Sequence, residues 1–93
     1  MRKPAKFPLY TVHVSPAAVQ AFFQNEANVL DLLGRHQSGD YGELCYDDQQ
    51  VNEKSIKQGG RVLSSYPLPD GTVIWIDTAA GWAETSVYVR EEY

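Results

Sequence analysis

Arg61-Val62-Leu63-Ser64-Ser65-Tyr66-Pro67-Leu68-Pro69-Asp70-Gly71-Thr72-Val73-Ile74-Trp75-Ile76 is the stretch on which the fold turns. Val62, Ser64 and Tyr66 alternate with Leu63 and Ser65, the period-two pattern of a strand with unlike faces. Pro69-Asp70-Gly71 then signals a tight turn, because proline pre-sets φ and glycine accepts a positive one. Val73-Ile74-Trp75-Ile76 presents apolar side chains to both faces, which predicts a central strand. Ala79-Ala80-Gly81 turns the chain again, and Thr85 to Val89 form a third strand before the tail Arg90-Glu91-Glu92-Tyr93.

Upstream of this hairpin the period becomes helical. Asp47 with Gln50 three residues later reads as a capping box opening a helix over about 47–58. That helix is mostly polar, with Val51 and Ile56 its strongly apolar members, and Gly59-Gly60 suits a left-handed C-terminal cap. Asn28 caps an earlier helix, where Asp31 complements the positive end. Val29, Leu32 and Leu33 form its apolar stripe, and His36 continues that stripe at helical spacing. Arg35 stands four residues after Asp31, at the spacing of a helix-surface ion pair. Gly39 and Gly42 then break the pattern into a loop.

Ser15-Pro16 opens the first helix, serine capping free amides and proline occupying the first helical position. It is expected to run to about Asn25 with Val19, Phe22 and Phe23 on its inner side. Leu9 to Val14 alternate as a strand, and the pattern leaves open whether it joins the C-terminal sheet or caps it. Residues 1–8, with two prolines and three basic residues, read as a flexible basic arm. The order is therefore β-α-α-α-β-β-β. A single α+β domain over residues 1–93 is predicted, with an antiparallel C-terminal meander and helices packed on one face.

Composition bounds the function. Ninety-three residues allow one domain, with a stability on the order of 5 kcal/mol. The net charge is −4, and it is unevenly placed: four Lys/Arg face three Asp/Glu in residues 1–42, and four face nine in residues 43–93. An acidic surface disfavours direct nucleic-acid binding, which needs Lys/Arg on phosphates, and it is compatible with a basic protein partner. The same charge also serves plain solubility. The lone cysteine, Cys45, rules out an internal disulfide and a cysteine-based zinc site, and fits a reducing cytoplasm. The basic start lacks an apolar h-region, and no apolar run approaches membrane-spanning length, so the expectation is a cytoplasmic protein. No cofactor motif and no metal-ligand spacing is present; His13 and His36 lack paired carboxylates beside them.

Several blocks resemble one family. Phe7-Pro8-Leu9, Ser15-Pro16-Ala17-Ala18, Arg35-His36-Gln37-Ser38-Gly39-Asp40-Tyr41-Gly42-Glu43-Leu44, Gly59 to Tyr66, Leu68 to Ile76 and Val89 to Tyr93 are similar to the small, uncharacterised bacterial plasmid-related proteins. These are carried on plasmids, phages and other integrated elements. The resemblance covers nearly the whole chain, and its most specific block is Arg-His-x-x-Gly-Asp-aromatic-Gly. It implies a mobile-element protein and brings no established activity with it. Members typically follow the Trp-Ile strand with Ile-Thr-Glu-Ala-Asp-Arg-Ser. Here the segment is Asp77-Thr78-Ala79-Ala80-Gly81-Trp82-Ala83-Glu84-Thr85, so a family site in that turn would be lost or rebuilt.

The residues that could carry chemistry lie in Arg35–Gly42. His36 is a natural general acid or base near neutral pH, Asp40 could fix its tautomer, and Arg35 could hold a phosphate. Together they would suit metal-free RNA cleavage or another small hydrolase. The competing reading is structural: His36 ends an apolar helix stripe, Gly39-Asp40 and Gly42 are turn chemistry, and Tyr41 anchors the loop. As binding residues, Tyr41 and Trp82 are aromatic candidates, Trp82 either standing exposed in its turn or folding back over the sheet. Glu43, Asp47, Asp48 and Glu53 read either as an acidic strip for a basic partner or as a solvated helix face. The leading expectation is a protein-interaction or regulatory module, with an exposed apolar or acidic patch near Trp82 or the polar helix. The alternative is a small hydrolase using His36, Asp40 and Arg35.

Overall fold

The Pro69-Asp70-Gly71 turn closes with Leu68 N–H on the Thr72 carbonyl at 2.7 Å and Gly71 N–H on the Leu68 carbonyl at 2.9 Å. In the computed structural model, which describes residues 4–92, this turn joins β2 (Val62–Pro67) to β3 (Val73–Thr78), and a second turn leads to β4 (Glu84–Val89). The three strands form the expected antiparallel meander, with Ser64 opposite Ile76 and Ile76 opposite Val87. β1 (Thr11–Val14) settles the question left open by its sequence. It joins the sheet parallel to β4, giving the order β1-β4-β3-β2. Parallel pairing needs a long crossover, and the helices supply it.

Those helices are α1 (Pro16–Gln24), α2 (Val29–Gln37) and α3 (Tyr46–Gln58). The Ser15 side chain accepts from Ala18 N–H and Asn28 from Leu30 N–H, as the capping signals require. α3 differs from expectation. It begins after Cys45, one residue before Asp47, and has no side-chain cap; Asp47 and Asp48 sit in its first turn instead. There their negative charge still complements the helix dipole. Gly59 ends the helix at φ 71°, in the left-handed cap its sequence predicts.

The core lies between α1, α2 and one sheet face. Val62, Ser64 and Tyr66, then Ile74, Ile76 and Thr78, then Thr85 and Val87 all point into it. On α1 the buried stripe is Ala18, Ala21 and Phe22, whereas Val19 and Phe23 face outward. This corrects the expected inner side: two alanines bring the helix close to the sheet and rotate the larger neighbours away. On the other sheet face Thr11, His13 and Ser86 are exposed, and Trp75 and Tyr88 meet edge-on at 6.2 Å between ring centres.

The expected basic arm is also corrected in part. Residues 1–3 lie outside the described residues. From Lys6 onward the segment is tied down: Lys6 N–H bonds the Gln37 carbonyl, and Phe7 is buried against Tyr41 and Val62 with Ile56 and Trp82 packed around them. Among the described residues, no helix is long and apolar enough to cross a membrane.

Candidate functional site

The segment Arg35–Gly42 begins as the last turn of α2 and leaves it through two glycines. Its residues are sent in opposite directions. His36 points into the core and is fully buried. Its Nδ1 lies 2.6 Å from Ser64 Oγ on β2 and its Nε2 2.8 Å from Thr78 Oγ1 on β3. Thr78 Oγ1 in turn meets Thr85 Oγ1 on β4 at 2.8 Å, so a chain of polar groups crosses three strands beneath α2. Phe7 stands edge-on to the imidazole at 5.3 Å. Burial pushes the His36 pKa down to about 4, against a smaller opposing pull from Asp77. The ring is therefore neutral at pH 7, with one nitrogen donating and the other accepting.

Arg35 points the other way. Its Nε donates to Asp40 Oδ2 at 2.8 Å and its Nη2 to Asp40 Oδ1 at 3.3 Å, and the guanidinium lies over the Tyr66 ring at 4.6 Å. The pairing with Asp31 expected from helical spacing is replaced by this bidentate contact across the loop. The hydrogen bond from Arg35 to Asp40 raises the arginine pKa further. Asp40 Oδ1 also accepts from Gly42 N–H, and the Asp40 carbonyl takes the Tyr66 hydroxyl at 2.6 Å. A cleft of about 540 Å³ opens beside the pair, bordered by Ala5, Asp31, Gly34 and Gln37.

The three candidate catalytic residues are thus not one constellation. Arg35 and Asp40 meet each other at the surface, and His36 is sealed between two hydroxyls with no route to that cleft. A general acid or base must reach the proton it moves. The arrangement instead locks a helix end to the sheet.

The expected binding residues divide likewise. Tyr41 is buried, with its hydroxyl on Glu53 Oε1 at 3.1 Å, and burial raises its pKa. Glu53 also takes Lys6 Nζ at 2.8 Å, and that contact lowers its pKa. Glu53 is therefore a tie for the N-terminal segment rather than part of an open acidic strip. Trp82 folds back, its Nε1 donating to the Gly60 carbonyl at 2.9 Å and its ring 5.6 Å from Phe7. Glu43, Asp47 and Asp48 remain exposed. Cys45 is exposed and free, and among the described residues no three His, Cys, Asp or Glu side chains converge as metal ligands. His13 lies on the opposite sheet face from His36, 3.5 Å from Glu84.

Apolar residues that the sequence does not mark as functional are exposed elsewhere. Val19 and Phe23, one turn apart on α1, are 55% and 85% exposed, and Leu30 at the start of α2 is 65% exposed. Val19 lines, with Val14, Phe22, Ala27 and Val29, a groove of about 480 Å³. The one signal for this surface in the sequence is an excess of apolar residues over what one narrow stripe of α1 can bury. No family model, no curated protein and no solved structure matches the chain.

Proposed function

We propose that the protein is a protein-interaction module, of the kind expected on a mobile element, and that it acts by docking rather than by catalysis. The observation that supports this reading is the groove lined by Val14, Val19, Phe22 and Val29, together with the exposed Phe23 one turn along α1 from Val19 and the exposed Leu30 next to Val29 in the chain. Contiguous exposed apolar groups on a small domain mark contact sites. Burying a phenylalanine side chain contributes about 2 kcal/mol, a contribution that Phe23 does not make within the monomer. The surface lies where α1 and α2 meet β1, away from Trp82 and from the polar helix α3, the two places where the sequence leads one to expect a patch. The sealed position of His36 supports docking over hydrolysis.

The test begins with capture from a bacterial lysate by the immobilised chain and by Phe23→Glu. Each captured protein is purified and titrated against both by calorimetry. The reading holds if a partner binds the Phe23→Glu variant at least tenfold more weakly and binds Asp47→Asn as it binds the wild type. It is overturned if every captured protein is indifferent to Phe23, Val19 and Leu30.

A further inference from the structure

The two edges of the sheet are treated differently. On β2, the outward N–H and carbonyl of Leu63 are both taken by the Asn52 side chain, at 3.1 and 2.7 Å. Ser65 N–H bonds the Tyr41 carbonyl, and Glu43 N–H bonds the Ser65 carbonyl. That edge is closed by α3 and by the loop after α2. On β1, Thr11 N–H and Ser15 N–H turn inward to Ala83 and Val87. The alternate residues Val12 and Val14 therefore direct their N–H and carbonyl groups away from the sheet. Among the described residues nothing pairs with them. Thr11-Val12-His13-Val14 also lacks the lysine, proline or bulge that usually shields an open edge.

We propose that β1 pairs antiparallel with β1 of a second copy of this chain, doubling the four-stranded sheet about a two-fold axis. The inference deepens the interaction reading above by naming the partner, and it rests on that reading. An open edge is satisfied by an extended strand. This strand is complementary to itself: with the axis at His13, Val12 of each copy faces Val14 of the other and exchanges both backbone hydrogen bonds. The Val12 and Val14 side chains pack against the core face, so they meet their counterparts and continue one core into the other. The apolar groove is bordered by Val14 itself and by the exposed Val19 of α1, which places both along the seam. The groove lining contains no charged side chain, so the net charge of −4 on each copy is not concentrated at the contact. Closure of the β2 edge stops the pairing at two copies, where two open edges would allow an endless sheet.

Sedimentation velocity on the full chain, from low to high micromolar concentration, tests this. Val12→Pro removes an outward N–H and leaves the inward bonds of Thr11 and Ser15 to β4 intact. Val19→Glu places a charge in the seam at a position that is exposed in the monomer. Circular dichroism establishes that each variant is folded; should Val12→Pro fail to fold, Val19→Glu and amide exchange of the wild type decide. The expected result is a dimer that dissociates at least tenfold more readily in the variants. Val12 and Val14 amide exchange should slow as concentration rises. A monomer throughout the range, or a dimer indifferent to the variants, overturns the proposal. A monomer that still binds a different protein through Phe23 overturns self-pairing and leaves the interaction reading standing.

Discussion

His36 shows how position decides whether a histidine can do chemistry. Its pKa falls from 6.5 to about 4 because the buried ring resists charge. The unfolded chain therefore takes up a proton that the folded chain refuses. Stability from this group is complete above pH 6.5, drains away between pH 6.5 and about 4, and totals about 3 kcal/mol. Urea denaturation should show that loss, with its upper part lying above the range where carboxylates titrate. His36→Gln should be less stable at pH 7 and should have a flatter profile between pH 6.5 and 4.5. At Gly42 backbone geometry decides instead. Its φ is 72°, and a Cβ there would meet the Ser65 carbonyl oxygen at 2.0 Å, backbone that cannot step aside. Gly42→Ala should cost about 2–4 kcal/mol by thermal denaturation. The sequence places His36 on an apolar stripe, and that much of its burial is legible. Its partners are not, because Ser64 and Thr78 are 28 and 42 residues away along the chain.

At the scale of elements, local signals are reliable where the cause is local. The caps Ser15 and Asn28, the glycine end of α3 and the β2–β3 turn all form as their sequences predict, since each needs only neighbouring backbone groups. The face that α1 buries is not legible in the same way, because α1 has apolar residues around more than one face and only the sheet selects among them. α2 offers an element-level test. Gly34 lies inside the helix, and a Cβ added to it would have nothing within 4 Å. Gly34→Ala should therefore stabilise the protein by about 0.5–1 kcal/mol, measured as a raised melting temperature. α3 offers another. Asn52 stands in for a missing strand by bonding both backbone groups of Leu63. Asn52→Ala should cost about 1–3 kcal/mol and uncover the Leu63 part of that edge, so light scattering at high concentration should show more association than for the wild type. The mostly polar sequence of α3 hides this role, because an asparagine in a polar helix carries no mark of a buried partner.

Across the whole molecule the N-terminal segment is knitted into the rest. Phe7 packs against Tyr41, Val62, Trp82 and His36, so that segment, the loop after α2 and the sheet share one small core. Phe7→Ala should cost about 3–5 kcal/mol, much of the roughly 5–15 kcal/mol a domain of this size commands, and leave it partly unfolded at 37 °C by circular dichroism. The sequence alone determined the order of elements, the α+β class, the meander, the N-caps of α1 and α2 and the glycine end of α3, because periodicity, turn chemistry and capping act over a few residues. Only the tertiary structure decided where β1 pairs, that Arg35 takes Asp40 while His36 turns inward, that Trp82 folds back, and that among the described residues one sheet edge is closed and the other open. Arg35 and Asp40 meet across a loop whose path the tertiary contacts set, and the others depend on burial or pairing between residues many positions apart, which leaves no periodic trace in the chain.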